Sequence, residues 1–366
     1  MPPDINHNDE VFAIKHDIEN KKFILKLNDS AAEISVPYIL DLNNSGDCIG
    51  YKVFLLKNDV KNKENDIFQV FDNGQRIGWI FTIQSLQSGA HDWAQNEHFL
   101  KIAYFAFKAL LEKIDIKRSD LVGKCELKLS DCYDTDDIVF IVCEQEFDIN
   151  FYLPSFYRYG YYFQTDIEIK SSGDLSVFDE PHSKNNICIK RISPFLEDIK
   201  YFTEPSFFER IYKEKHYLVK FLLLYQVIEL LISKILDVRF KSIMEQNKTA
   251  TVDDIHKIKI ELNEISNEMR RINLLMNQFV TIDSEYNLRR KNLLIECAAF
   301  MKSCNEFTGS DDCGKNEIFY RTRNTIIHKY NKLKNENNVV ENIKKINIEL
   351  EKFIIYMIQS PFNDIL

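Results

Sequence analysis

Near the carboxyl end of the chain, the segment Arg321-Thr322-Arg323-Asn324-Thr325-Ile326-Ile327-His328-Lys329-Tyr330 gathers groups that can move protons and hold anions. His328 carries the one side chain there whose ordinary pKa lets it take and give a proton near neutrality. A guanidinium offers a fork of donors matched to phosphate oxygens, and it stabilises the added charge of a pentacoordinate transition state. Those two functions suffice to drive a ribose 2′-hydroxyl onto its own phosphate, with no metal ion required. Asn324 and His328 stand at i,i+4, so one helical face would carry both, and Arg321, seven residues before His328, shares that face. Arg323 lies about 100° round from Asn324 but has a long arm. Either arginine could therefore meet a phosphate beside the imidazole, with Arg321 and Lys329 as further substrate contacts.

A helix is needed to hold these residues, and the sequence supplies a bundle of them. After Pro205 the strand signal disappears. An intensely apolar helix starts near Phe221 and runs to about Phe240, followed by helices over residues 253–278, 286–302, 318–332 and 339–358. Five helices with short loops describe a helical bundle whose fourth member carries the segment. Glu229 is out of place in so apolar a first helix, because an acidic side chain there costs free energy unless paired. It either pairs with an arginine of the fourth helix or serves as a substrate-contacting carboxylate of the site.

The pattern Arg323-Asn324-x3-His328, in its helical setting after an apolar helix bearing Tyr225 and Glu229, resembles the signature of HEPN domains. These are small helical bundles found in many prokaryotic ribonucleases of toxin and antiphage systems. The resemblance covers about residues 205–360 and none of residues 1–200. It implies a metal-independent endoribonuclease without a cofactor, which leaves a 2′,3′-cyclic phosphate and a 5′-hydroxyl on its RNA substrate. Arg323 would bind phosphate and stabilise the transition state, His328 would act as general acid or base, and Asn324 would orient one of them or contact RNA. The resemblance also implies a homodimer through the helical domain, in which two copies of this helix supply two histidines and two arginines to one cleft. Tyr330 extends the pattern to Arg-x4-His-x-Tyr, similar to a group of toxins whose tyrosine is modified by a nucleotidyltransferase. Tyr330 is accordingly either a regulatory site or an ordinary interfacial aromatic. The alternative is a non-catalytic HEPN-like module that holds a nucleotide or a protein.

Residues 1–200 read differently. Short β-branched and aromatic runs between Val11 and Ile83 are separated by turn residues such as Asn43-Asn44-Ser45-Gly46 and Asp72-Asn73-Gly74, which predicts a mostly antiparallel sheet. Residues 92–114 switch to helical spacing, with Asp92 as the expected N-cap. Strands are expected again at 125–129, 138–142 and through the aromatic stretch 151–169. A long polar loop at 171–187 and a hinge between Pro194 and Pro205 follow. The expected architecture is α+β: a β-rich sensing or regulatory domain, 1–200, and an all-α domain, 201–366.

With 366 residues the chain is too long for one ordinary core. Its 45% apolar and 28% charged content is that of a globular protein. The net charge of −9 argues against gripping nucleic acid over the whole surface. The acidity is concentrated in residues 1–200, where 22 Lys and Arg face 33 Asp and Glu, against 25 facing 23 in residues 201–366. A polyanion should thus prefer the second domain, which leaves the first for a phage or regulatory protein. No basic, apolar leader follows Met1, and the most apolar stretch is broken by Lys220, Gln226 and Glu229, so a cytoplasmic location without membrane contact is expected. Eight scattered cysteines read as free thiols, and His91 with His98 complete no metal set. The acidic run 131–137 reads as a solvated turn, with a Mg²⁺ nuclease centre as the rival reading.

Overall fold

Five residues in the middle of the first unit, Ile138 to Val142, are all buried and therefore must be covered on both faces. In the computed structural model they form a central strand of an α+β fold. The structure describes residues 8–9, 11–27, 33–42, 50–58, 63–114, 116–117, 125–134, 137–143, 147–162, 186–248, 252–304, 316–333 and 337–362. The chain divides into two units, Met1–Lys190, rich in strands, and Arg191–Leu366, which is helical.

In chain order the first unit contains β1 (Asn8–Asp9), β2 (Val11–Asp17), β3 (Lys22–Leu27), β4 (Glu33–Pro37), β5 (Lys52–Asn58), β6 (Phe68–Asp72) and β7 (Gln75–Thr82). The helices α1 (Ile83–Leu86) and α2 (Glu97–Glu112) come next, then β8 (Ile116–Lys117), β9 (Ile138–Val142), α3 (Leu153–Arg158), β10 (Tyr161–Tyr162) and β11 (Asn186–Ile189). Six strands join in the order β10-β5-β9-β7-β6-β11, antiparallel except for β11 on β6, while β2, β3 and β4 form an antiparallel sheet of three. The alternation of side chains along a strand divides β9 between two cores. Val139 and Ile141 pack with α2 and the small sheet, whereas Ile138, Phe140 and Val142 face Phe147, Tyr152 and Phe156.

Several expectations give way here. Asn96, not Asp92, caps α2, its Oδ1 accepting from Phe99 N at 3.0 Å, because residues 92–95 are spent in a turn. The run 125–129 forms only a single bridge, Glu126 to Ser35, before a 3₁₀ turn at Leu129–Asp131. The aromatic stretch becomes a 3₁₀ turn, α3 and the two-residue β10. Asp148 caps the 3₁₀ turn, Pro154 favours the first turn of α3, and Leu153, Phe156 and Tyr157 are buried together, which outweighs aromatic strand propensity. Residues 163–185, which include most of the expected polar loop, lie outside the described residues. Asp137 is buried rather than solvated and meets Lys57 Nζ at 2.5 Å, with Asp134 at 2.9 Å from the same amine.

The second unit begins with 3₁₀ turns at Pro194–Leu196 and Lys200–Thr203, and residues 191–200 belong to it: Ser193 N donates to Ile358 O at 2.7 Å. Its helices are α4 (Pro205–Lys213), absent from the sequence reading, α5 (Tyr217–Gln246), α6 (Val252–Ser266), α7 (Glu268–Leu274), α8 (Ser284–Ser303), α9 (Glu317–Leu333) and α10 (Asn337–Gln359). The expected single helix over 253–278 is interrupted because the Asn267 side chain accepts from Arg270 N and caps a new start at α7. A π turn, Leu275–Phe279, follows and leaves the Met276 carbonyl to side-chain donors: Tyr286 Oη at 2.9 Å and Arg290 Nη1 at 3.2 Å. Arg290 also donates through Nε to buried Asn316 at 3.1 Å, so α8 anchors the chain just ahead of α9. α10 packs along α8 and α5, and the Lys220–Glu351 pair ties α5 to α10 at 2.8 Å with both side chains mostly buried. Among the described residues no helix is long and apolar enough to cross a membrane.

Gly78 sits where β7 is sandwiched between β6 and β9, and a Cβ there would meet Ile141 O at 2.2 Å. Gly78→Ala should destabilise the first unit by about 1–3 kcal/mol, as overpacking does. Chemical denaturation followed by tryptophan fluorescence would register it, since both tryptophans, Trp79 and Trp93, lie in that unit and touch each other.

Candidate active site

Burial along α9 follows a helical stripe. Ile318, Phe319, Thr322, Thr325 and Ile326 face inward, while Ile327, His328 and Lys329 are exposed. Arg321, Arg323 and Asn324 lie on the flanks between these faces.

Arg323 turns toward α5. Its Nη1 donates to Asn324 Oδ1 at 2.9 Å, its Nη2 reaches Glu229 Oε1 at 3.5 Å, and its Cζ lies 5.0 Å from the ring centre of Tyr225. Tyr225 and Glu229 stand one turn apart on α5, which places both under the guanidinium. Tyr225 points into the core at 2% exposure, whereas Glu229 stays on the solvent side with 49% of its side chain exposed. Of the two roles that the sequence offers for Glu229, the structure contains the pairing, an ion pair to an arginine of the helix that carries the motif. At that distance and exposure the pair adds little stability.

Beneath the guanidinium the Tyr225 hydroxyl donates to Glu268 Oε1 at 2.7 Å, and the ring packs between Phe221 and Phe319. Burial, then the bond to the Glu268 carboxylate, pushes the Tyr225 phenol well above its ordinary pKa, with Arg323 acting in the opposite direction. The ring therefore stays neutral, and its face is available to the cation. Arg323 Nε is buried and meets no acceptor among the described residues.

His328 stands apart from this network. It is exposed, and it makes no hydrogen bond, ion pair or ring contact with any described residue. It follows Arg323 by five residues, which is roughly 140° round the helix and 7–8 Å along it. The arginine arm makes its contacts with Asn324, Glu229 and Tyr225 and none with the imidazole. Asn324 bridges the gap, bonded to Arg323 on one side and one turn from His328 on the other. Arg321 is half-buried and Lys329 exposed, and each has interactions with its surroundings. Tyr330 lies on α9, but its side chain is outside the described residues.

Glu268 is the member of this site that the sequence did not reveal. It opens α7 directly after the Asn267 cap, and nothing in its spacing links it to α5 or α9. His91 is a core residue, its Nε2 3.0 Å from Ser85 O and its ring set edge-on to Phe99. Among the described residues no group of three or more His, Cys, Asp or Glu side chains is placed to hold a metal ion. No protein-family model, curated protein or solved structure matches the chain.

Removing the Tyr225 hydroxyl should isolate the lowest layer of this stack. Tyr225→Phe keeps the ring under Arg323 but strips Glu268 of its donor, and the second unit should lose about 1–2 kcal/mol. Above pH 10 the wild type alone must resist ionising this buried phenol, so its denaturation midpoint should fall with rising pH more steeply than the variant's.

Proposed function

We propose that the second unit is a metal-independent endoribonuclease of the kind that the Arg323-Asn324-x3-His328 resemblance implies, acting as a homodimer in antiphage defence or as a toxin. One observation carries the reading: a guanidinium braced by a buried aromatic ring shares a helix, through Asn324, with a solvent-reachable imidazole. The imidazole of His328 takes the proton of the ribose 2′-hydroxyl as O2′ bonds to phosphorus. The P–O5′ bond then breaks, and the second copy's imidazole delivers a proton to the leaving oxygen. Arg323 holds the non-bridging oxygens. Glu229 competes with phosphate for that guanidinium and so acts as a restraint. Apposition of two α9 helices suits the exposure of Ile327, 37%, beside His328. The acidic first unit is the candidate surface for a phage or regulatory protein, and the cytoplasm is the expected location.

The non-catalytic reading also has an observation in its favour. Arg323, Asn324, Glu229 and Tyr225 would equally clamp α9 to α5 with no chemistry at all.

Purified full-length protein incubated with total RNA and EDTA separates the two. Cleavage that leaves 2′,3′-cyclic phosphate ends, and that is lost in both Arg323→Ala and His328→Ala proteins with unchanged circular dichroism, is the expected result. Equal cleavage by wild type and both variants, or cleavage abolished by the chelator, would overturn the proposal. A companion measurement concerns the restraint: Glu229→Gln should bind single-stranded RNA several-fold tighter at low salt, and the gain should shrink as salt is raised.

A further inference from the structure

Residues of α5, α6, α7 and the π turn line an open pocket of about 510 Å³. Four residues of α5 line it at helical spacing, 239, 242, 243 and 246, and four from α7 and the π turn do likewise, 270, 273, 274 and 277. Such stripes normally close on one another through apolar side chains. Here only Ile243, Ile265 and Leu274 are apolar, and they form a patch against which a planar ring could lie.

The polar groups around that patch are of specific kinds. Gln246, Asn273, Asn277 and Gln278 supply carboxamides, each with a donor beside an acceptor, which is the pattern that reads the edge of a nucleobase. The side-chain amides of Asn273 and Asn277 have no hydrogen-bond partner among the described residues, whereas the Gln246 amide donates to Ser242 Oγ at 3.3 Å. Arg239 and Arg270 bring guanidinium groups suited to phosphate. Arg270 Nη1 rests on Glu264 Oε2 at 2.7 Å, but with about half of both side chains exposed this is a weak pair that an incoming anion can exchange with. Glu261 adds a carboxylate of the kind that accepts from the hydroxyls of a ribose. Two arginines balanced by two glutamates disfavour a polyphosphate and suit a single phosphate, and the volume suits a ligand of nucleotide size.

We propose that this cavity binds a nucleoside monophosphate unit, either a free nucleotide or one residue of an RNA strand. The same α7 opens with Glu268, the acceptor of the Tyr225 hydroxyl that underlies Arg323. A nucleotide held by Arg270, Asn273 and Asn277 would therefore fix the helix that braces the guanidinium. Binding itself goes beyond the nuclease reading and does not need His328.

Calorimetric titration of the full chain with AMP, GMP, CMP and UMP, and separately with a short single-stranded RNA, tests this. The His328→Ala protein is used so that the strand is not cut. At least one monophosphate should bind with a dissociation constant below about a millimolar. Asn273→Ala and Asn277→Ala should each weaken it about tenfold, the loss of one base-reading contact, with an unchanged thermal melt. RNA binding with the same sensitivity, and no binding of any monophosphate, would place the unit within a strand. Absence of both, or binding indifferent to both substitutions, overturns the proposal. Because His328 is already missing, loss of nuclease activity cannot be mistaken for loss of this site.

Discussion

A guanidinium lying over a buried phenol ring organises the chemistry-bearing face of the second unit. The guanidinium of Arg323 has donors on every edge and no acceptor, so its neighbours must be acceptors or a π face. The protein accommodates it with a π face below, an amide oxygen beside it and a half-exposed carboxylate at its rim. The ring is in turn held by the Glu268 carboxylate. Three helices, α5, α7 and α9, thus meet through one cation–π stack.

The short helix α7 is the least regular of the three. It begins at a side-chain cap, runs into a π turn, and offers Glu268 at its start and, together with that turn, the Arg270, Asn273 and Asn277 stripe along another face. Breaks of this sort cost backbone hydrogen bonds, which the Met276 carbonyl recovers from Tyr286 and Arg290. Those same donors sit on α8, and Arg290 also fixes Asn316 ahead of α9. The irregularity and the placement of the motif helix therefore share one set of hydrogen bonds.

The first unit follows a different rule. Its central strand has apolar side chains on both faces, so its specificity lies in alternation: Val139 and Ile141 on one side, Phe140 and Val142 on the other. A shift of one residue in register would exchange the two sets and mismatch both cores. Asp137, beside this sheet, is not an idle solvent charge, since it is buried against Lys57.

Much of the architecture was legible from periodicity. The α+β division, the buried strand at 138–142 and the helices bearing residues 221–240, 286–302, 318–332 and 339–358 all follow from apolar spacing, because each such element must bury one face whatever its neighbours are. The aromatic stretch after residue 150 misled for the complementary reason: Pro154 and the common burial of Phe156 and Tyr157 favour a helix only once the surrounding core exists. Within the site, the sequence determined which groups share α9, since spacing of four and seven residues fixes a helical face. It did not determine that Arg323 turns to Tyr225 and Glu229 while His328 stays exposed, nor that Glu268 accepts from the hydroxyl of that ring. Those are contacts between helices far apart in the chain, and only packing decides them.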